Sequence, residues 1–259
     1  MSFHVAPVEG KHAFNDAYVQ TLLKKWDMSK NSFFHIIRYT KYYHKMQGQE
    51  LLLDMFNSET VRPLLRVLKK SGEWSLLPAD EPITAVVLEA VPATLTRMDL
   101  FDKLQEADPP IVRPNGDLVK CMDDQREGFQ ISDMLRQMLL CDSCEQYELY
   151  SDEEKSELLW RLFEHLALGG ACCQFEDNVQ SYMDVAKRIY KELVSVQKNS
   201  SGAIEVTSVV YKVTALETAS GERLQLFPSP GSRNNFLYVA VDPLRRVARI
   251  WYHAMLPFW

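Results

Sequence analysis

The strongest hydrophobic pattern in the chain follows Ser151. Apolar residues recur there at helical spacing and form one broad stripe: Leu158, Leu159, Leu162, Phe163 and Leu166. Ser151 and Glu154 have the spacing of a capping box, in which each side chain bonds a free N–H at the helix start. Gly169 ends the helix, because glycine adopts the left-handed C-cap conformation without a Cβ clash. We predict one capped helix whose stripe is buried, and a structural role for Gly169 and Gly170.

Helical spacing predicts six further helices. They are Phe14–Met28, Glu50–Asn57, Thr60–Lys70, Met98–Gln105, Ile131–Leu140 and Tyr182–Lys191. For Thr60–Lys70, Ser58 is the predicted N-cap and Pro63 lies in the first turn, where a missing N–H does no harm. Gly72 is predicted to end that helix.

β-Branched and aromatic residues, together with period-two alternation, predict the strands. These are Phe33–Tyr43, Glu73–Leu77, Ile83–Val91, Leu118–Cys121, Leu193–Gln197, Ile204–Leu216, Phe236–Val241 and Val247–His253. Asn199–Gly202 is a predicted hairpin turn, and Asp242–Arg246 is another, with Asp and Pro at the positions a type I turn prefers. The last four strands run consecutively, so we predict an α+β fold. Its helices pack on a C-terminal antiparallel sheet, and its N-terminal region is mixed α/β.

The strongest loop signal is Glu106–Gly116, which contains Asp-Pro-Pro, Arg-Pro and Asn-Gly. A chain of 259 residues fits a single globular unit. If residues 1–259 divide at all, we expect the boundary at 106–116, between an N-terminal subdomain of residues 1–105 and a C-terminal subdomain of residues 117–259.

The charge balance argues against a general nucleic-acid binder. The net charge is −6, from 29 Lys and Arg against 35 Asp and Glu, whereas binding to phosphates needs a basic face. A local patch of Arg38, Lys41, His44 and Lys45 among aromatic residues is either a half-buried strand with a solvated side or a stacking surface. We predict no nucleic-acid partner.

Nothing in the chain resembles a membrane span or a signal peptide. The apolar run Thr84–Leu95 is interrupted and shorter than the ~20 residues that a spanning helix needs. Five cysteines, an odd number, fit a reducing compartment. We therefore expect a soluble intracellular protein without a membrane partner.

The cysteines raise a zinc hypothesis. Cys141 and Cys144 are separated by two residues, but Cys172 and Cys173 are adjacent, whereas zinc ribbons place two residues between the ligands of each pair. Buried free thiols are the simpler interpretation, so we predict no metal and no cofactor.

Common catalytic motifs are missing from the sequence, including the nucleophile elbow, the zinc-protease helix and the phosphate loops. Gly169 and Gly170 end a helix, whereas phosphate-binding glycines precede one. A lone histidine such as His165 is more often a structural hydrogen-bonding group than a catalyst. We predict no catalytic residues.

Two charged segments are candidate contact surfaces. One is the acidic stretch Glu145–Glu157, with Glu153 and Glu154 at the start of the capped helix, where negative charge is favourable. The other is the basic turn of Arg245 and Arg246. Each is either a solvated surface or a docking surface for a partner of opposite charge.

Three segments resemble the cilia- and flagella-associated protein 300 family. They are Gly116–Cys121, then Leu166–Asp177 continuing through Ile189–Val196, and Val241–Arg246 with Tyr252 and His253. The resemblance covers about Gly116–His253 in order and spacing. The family motif falls on Gly169, Gly170, Cys173, Gln174, Glu176 and Asp177.

This resemblance implies a non-enzymatic factor for assembly and intraflagellar-transport-dependent delivery of outer and inner axonemal dynein arms. It implies action by protein–protein interaction in the cytoplasm and the cilium or flagellum. The implied partners are dynein arm assembly factors or dynein subunits, and the intraflagellar transport machinery directly or indirectly. A structural axonemal component and an enzyme on an unfamiliar α+β scaffold are the alternatives.

Overall fold

A computed structural model describes residues 2–68, 72–77, 81–229 and 231–256. The α-helices are α1 Ala17–Lys25, α2 Gly48–Phe56, α3 Lys103–Glu106, α4 Met134–Leu140, α5 Asp152–Ser156, α6 Leu158–Leu168 and α7 Gln180–Leu193. The strands are β1 Phe3–Ala6, β2 Ser32–Tyr39, β3 Arg66–Leu68, β4 Trp74–Leu76, β5 Ile83–Val91, β6 Lys120–Arg126, β7 Phe129–Asp133, β8 Val196–Lys198, β9 Ile204–Val206, β10 Val209–Thr218, β11 Arg223–Gln225, β12 Phe236–Asp242 and β13 Val247–His253. Short 3₁₀ helices lie at Ala13–Asn15, Lys45–Gln47, Arg62–Leu64 and Asp99–Asp102.

One curled antiparallel sheet organises the molecule. In the described residues its strand order is β1-β2-β13-β12-β10-β11-β3-β4, and β5 pairs with β10. Strand β10 pairs with β5 along one edge, and with β12 and then β11 along the other. Strands from both sides of the loop 106–116 therefore share the sheet; the subdomain boundary predicted there stays a prediction.

Strand β12 lies at the centre and is buried along its whole length. Alternate side chains of an extended strand point to opposite faces. Phe236, Tyr238 and Ala240 accordingly join one core with α1, α4, α6 and α7. Their neighbours on the other face of the sheet join a second core with α2. The α+β prediction is confirmed, and helices cover both faces of the sheet.

The predicted helix at 151–168 is two helices. The capping box is present at the start of α5, with Ser151 Oγ accepting from Glu154 N at 3.3 Å. The single-helix prediction is wrong at Glu157, whose backbone is extended. Its carboxylate accepts hydrogen bonds from Thr94 N at 3.0 Å and Thr94 Oγ1 at 2.5 Å, while Leu158 N donates to Pro92 O at 2.7 Å. These bonds to residues far away in the sequence replace one turn of helix. The predicted burial of the apolar stripe in α6 is confirmed.

The prediction of a helix at Thr60–Lys70 is wrong over its described residues. Ser58 is not the predicted N-cap: its Oγ accepts from Val61 N at 3.2 Å in the turn before the 3₁₀ helix Arg62–Leu64, which has no side-chain cap. The chain then becomes extended at Leu65, and β3 pairs with β4. Leu65 and Val67 are buried while Arg66 is exposed, which is the period-two pattern of a strand. Residues 69–70 lie outside the described residues, and Gly72 lies between the two strands.

Two strand predictions also need correction. The predicted strand Ile204–Leu216 is divided into β9 and β10, because Thr207 N donates to Ser195 O at 2.9 Å and Ser208 Oγ accepts from Ser195 N at 2.8 Å. The predicted strand at Leu118–Cys121 is wrong at Leu118, which forms an isolated bridge with Val112; only its last two residues belong to the longer β6, which forms a hairpin with β7. The turn of that hairpin has positive φ at Glu127 and Gly128, and β6 is too polar to show alternation.

The other predicted elements are confirmed, with shifted ends. They correspond to α1, α2, α4, α7, β2, β4, β5, β8, β12, β13, and to the 3₁₀ turn that runs into α3. The turn of the β12–β13 hairpin has Asp242 Oδ1 accepting from Leu244 N and Arg245 N, each at 3.0 Å. Across the described ranges, every helix is too short or too polar to cross a membrane.

The burial of α6 predicts a large difference between two leucines. Leu162 is fully buried, whereas Leu244 is 67% exposed at the tip of the β12–β13 turn. We expect Leu162→Ala to lower the free energy of unfolding by about 3 kcal/mol, since it removes buried methyl groups and leaves a cavity. Leu244→Ala should change it by less than about 0.5 kcal/mol. Urea denaturation measures both; equal losses would contradict the assignment of α6 to the core.

Candidate functional site

The residues of the family motif form a loop that lies against the C-terminal end of α1. The loop begins at Gly169, which has a φ of 67°. Gly170 N donates to Trp26 O at 2.8 Å, and Gln174 N donates to Lys25 O at 2.9 Å. These main-chain bonds join segments that are far apart in the sequence.

Both glycines of the motif lie where the backbone of α1 comes closest. A Cβ at Gly169 would be 2.8 Å from Trp26 O, and one at Gly170 would collide with the carbonyl oxygen of Asp27. Cys173 packs beside Gly169. Burial raises the pKa of the Cys173 thiol to about 12, so the thiol stays protonated near neutral pH and is a poor nucleophile.

The two carboxylates of the motif are adjacent at the C-terminal end of the loop and bind two different elements. Glu176 Oε1 accepts from Trp26 Nε1 at 3.0 Å and lies 2.8 Å from Lys25 Nζ. Asp177 Oδ1 lies 2.6 Å from Lys120 Nζ. The hydrogen bond from Lys120 lowers the pKa of Asp177. The loop is therefore tied to α1 on one side and to the start of β6 on the other.

Beneath the loop lies a buried arginine that the sequence did not predict. Arg136 and Asp133 both have fully buried side chains and form an ion pair. Arg136 Nη2 also donates to Ala167 O and to Tyr182 Oη, each at 2.7 Å. The guanidinium lies 3.5 Å from the centre of the Phe175 ring, within range of a cation–π interaction. One charge thus joins α4, α6, α7 and the motif loop.

Only the contact between Asp133 and Arg136 can be recognised from the local sequence. Asp133 Oδ1 accepts from Arg136 N at 3.0 Å, which is an N-cap of a recognisable type. Arginine is rarely fully buried unless it is paired. The other partners of Arg136 come from elements that the sequence does not place next to α4.

His165 is a second buried polar centre. Its Nδ1 lies 2.7 Å from Asn234 Oδ1, and its Nε2 lies 2.8 Å from Tyr238 Oη. Asn234 Nδ2 donates to His165 O and Gly169 O, so Asn234 Oδ1 is left as an acceptor. His165 therefore donates from Nδ1 and accepts at Nε2. The prediction of a structural hydrogen-bonding histidine agrees with this geometry.

The predicted charged surfaces lie on separate elements. Arg245 lies 3.6 Å from Asp242, and Arg246 Nη1 donates to Thr40 O at 3.1 Å, both at the β12–β13 turn. On α5, Glu154 accepts from Lys103 Nζ at 2.6 and 2.7 Å.

Glu153, next to Glu154, is exposed, and its pKa is lowered by backbone and Ser151 hydrogen bonds. Within the described ranges no hydrogen bond or ion pair links the basic turn to α5.

The basic patch near β2 is partly neutralised. Lys41 Nζ lies 2.7 Å from Glu50 and 3.4 Å from Asp54. His44 Nδ1 accepts from Met46 N at 3.3 Å and caps a short 3₁₀ helix. Much of the patch therefore serves local structure.

The cysteines differ in exposure. All five are free; Cys141 is buried, Cys172 is exposed and the others are partly buried. The prediction of uniformly buried thiols is therefore wrong at Cys172, whose N–H donates to Asp27 Oδ2 at 3.0 Å at the loop surface. Among the residues described here, no three His, Cys, Asp or Glu residues are grouped so as to hold a metal ion.

Comparison with known proteins extends the resemblance to nearly the whole chain. A family model described as cilia- and flagella-associated protein 300 matches residues 1–253. The chain belongs to this family. A family member from Chlamydomonas reinhardtii is 54% identical over 248 residues, which cover 95% of each chain. A family member from Paramecium tetraurelia is 30% identical over 246 residues, covering 95% of this chain and 90% of that relative. No solved structure matches the chain.

The buried ion pair predicts a non-additive mutant series. Arg136→Met leaves the Asp133 carboxylate buried without its cation, and we expect a loss of about 3–5 kcal/mol in the free energy of unfolding. Adding Asp133→Asn removes that charge and keeps an oxygen to cap α4. The double variant should therefore be more stable than Arg136→Met alone, as measured by chemical denaturation. Strictly additive losses would contradict a coupled pair.

Burial of His165 predicts acid sensitivity. Burial lowers the pKa of His165 well below the usual 6.5, and it also lowers the pKa of His253. Both side chains regain ordinary pKa values on unfolding, so below pH 6.5 the unfolded chain binds more protons. Stability is therefore full above about pH 6.5 and falls as the pH decreases.

The contribution of His165 is measured as the slope of the unfolding free energy against pH. Between pH 6 and 5, we expect His165→Gln to reduce the fall in unfolding free energy by up to about 1.4 kcal/mol per pH unit. The exposed His4→Gln is the control and should leave the slope unchanged. A wild-type slope in the His165 variant would show that this histidine is not buried in its neutral form.

Proposed function

We propose that this chain is a non-enzymatic factor for the assembly of outer and inner axonemal dynein arms. We further propose that it supports their delivery by intraflagellar transport and acts through protein–protein interactions. The observation that carries this proposal is the family match over residues 1–253, together with a relative that is 54% identical over 95% of both chains. The name of that relative associates it with cilia and flagella.

The internal chemistry supports a binding role. The buried polar side chains use their hydrogen bonds to join elements of the fold. Arg136 is occupied by an aspartate, a tyrosine and a main-chain carbonyl, and His165 by an asparagine and a tyrosine. Groups committed in this way maintain structure, whereas a catalytic base must be able to reach a substrate proton.

The proposed partners follow from this role. They are dynein arm assembly factors or dynein subunits, and the intraflagellar transport machinery directly or through another protein. The proposed locations are the cytoplasm, where the arms would be assembled, and the cilium or flagellum, to which they would be delivered. The surfaces left for these contacts include Glu153 and the turn of Arg245 and Arg246.

Deletion of the gene in a ciliated cell tests this function. Outer arms should be lost together with some inner arms, while the doublet microtubules remain intact, because the factor acts on the arms and not on the microtubules. Electron microscopy of axonemal cross-sections measures this outcome. Re-expression of the wild-type chain is the control and should restore the arms; normal arms in the deletion strain would refute the proposal.

Extraction of isolated cilia separates an assembly factor from a structural axonemal component. An assembly factor should leave with the soluble matrix after detergent treatment. A structural component should stay with the doublets through detergent and salt washes. Retention on salt-washed axonemes would replace the proposed function with a structural one.

A further inference from the structure

A groove of about 560 Å³ lies on the outer side of α7, away from the motif loop. Its walls are the C-terminal half of α7, the loop 95–99 and the β8–β9 hairpin. Its floor includes Leu159 and Val194, which are buried. The lining is mainly apolar, with three cations and one anion at the edges.

The β8–β9 hairpin presents an uncovered apolar face to this groove. Val196 pairs with Val206, and Ile204 with Lys198, so all four side chains share one face. The opposite face is polar, and Gln197 Nε2 donates to Glu205 Oε1 there at 2.8 Å. Val196 and Ile204 are nevertheless 45% and 55% exposed. A two-stranded hairpin is marginally stable unless its apolar face is covered, so a covering element is expected.

Tyr190 belongs to the inner lining of the groove. Its side chain is only 6% exposed, and its hydroxyl is buried without a hydrogen-bond partner among the described residues. The buried hydroxyl is out of reach of a ligand in the groove, so Tyr190 contributes its ring to the apolar lining.

The charges of the groove differ in sign from the chain as a whole. Arg97 lies 3.8 Å from Asp99, which leaves Lys187 and Lys191 as the net charge of the lining. These two lysines are one helical turn apart on α7, are exposed, and form no ion pair within the described ranges. A positive groove on a chain of net charge −6 favours an acidic occupant.

We propose that this groove binds an acidic amphipathic segment of a partner protein. Apolar side chains of the segment cover Val196, Ile204 and the floor of the groove. Its carboxylates pair with Lys187 and Lys191. This inference rests on the proposed function, in which the chain acts by protein–protein interaction.

The test uses two synthetic peptides of about 16 residues with leucines on one helical face. Glutamates fill the other face of the first peptide, and lysines that of the second. Fluorescence anisotropy measures binding to the full chain. The acidic peptide should bind, more weakly as salt is added, and the basic peptide should not. Equal binding of the two peptides, or no binding of the acidic one, would overturn the proposal.

Variants locate the site. Lys187→Glu with Lys191→Glu should weaken binding of the acidic peptide at least about tenfold. The matched control, Lys11→Glu with Lys24→Glu, changes net charge equally at exposed positions outside the groove and should have little effect. Equal loss in both lysine pairs would show non-specific attraction and overturn the assignment.

Two further readouts separate this inference from the proposed function. The chain should remain monomeric in size-exclusion chromatography, and a dimer displaced by the acidic peptide would instead assign the groove to a second copy. In the deletion strain, the Lys187→Glu, Lys191→Glu chain should fail to restore dynein arms. Restored arms would refute the groove and leave the assembly function standing, whereas normal arms in the deletion strain itself would refute that function.

Discussion

The ion pair of Arg136 with Asp133 is the constraint on which the packing of α4, α6, α7 and the motif loop depends. A fully buried charge is tolerated only where ionic and hydrogen-bond partners replace water. Here the partners come from α4, from the main chain of α6 and from Tyr182 on α7, with the Phe175 ring beside the guanidinium. Displacing any of these elements removes one partner of the buried charge. The interaction therefore defines how the three helices and the motif loop meet, whereas the apolar contacts around it tolerate small shifts.

The motif loop carries this constraint to the N-terminal region of the chain. Tyr182 Oη, which accepts from Arg136, also accepts from Glu176 N at 2.8 Å. The Glu176 carboxylate in turn accepts from the indole of Trp26. Close main-chain contact at Gly169 and Gly170 completes the junction. The motif thus acts by joining α1 to the helical layer, and its partly buried Cys173 packs beside Gly169.

Polar groups of the interior and charged groups of the surface differ in how they are paired. Inside, Arg136 and His165 are bonded to other buried side chains. On the surface, the groove beside α7 combines exposed apolar residues with Lys187 and Lys191, which no described acidic residue neutralises. The charged segments that were most visible in the sequence are partly occupied, since Glu154 is paired with Lys103 and Arg246 is bonded to Thr40.

The sequence alone determined the elements whose interactions are local. The capping box at Ser151, the buried stripe of α6 and the β12–β13 hairpin depend on neighbours a few positions away, so spacing was enough to predict them. The family motif was also identified from the sequence, but its contacts were not. Tertiary structure decided the break at Glu157, whose partner Thr94 is 63 positions away, and the burial of Arg136, whose partners Ala167 and Tyr182 are 31 and 46 positions away. A carboxylate or a guanidinium looks the same in sequence whether water or a distant residue satisfies it, and only the folded chain brings those partners within bonding distance.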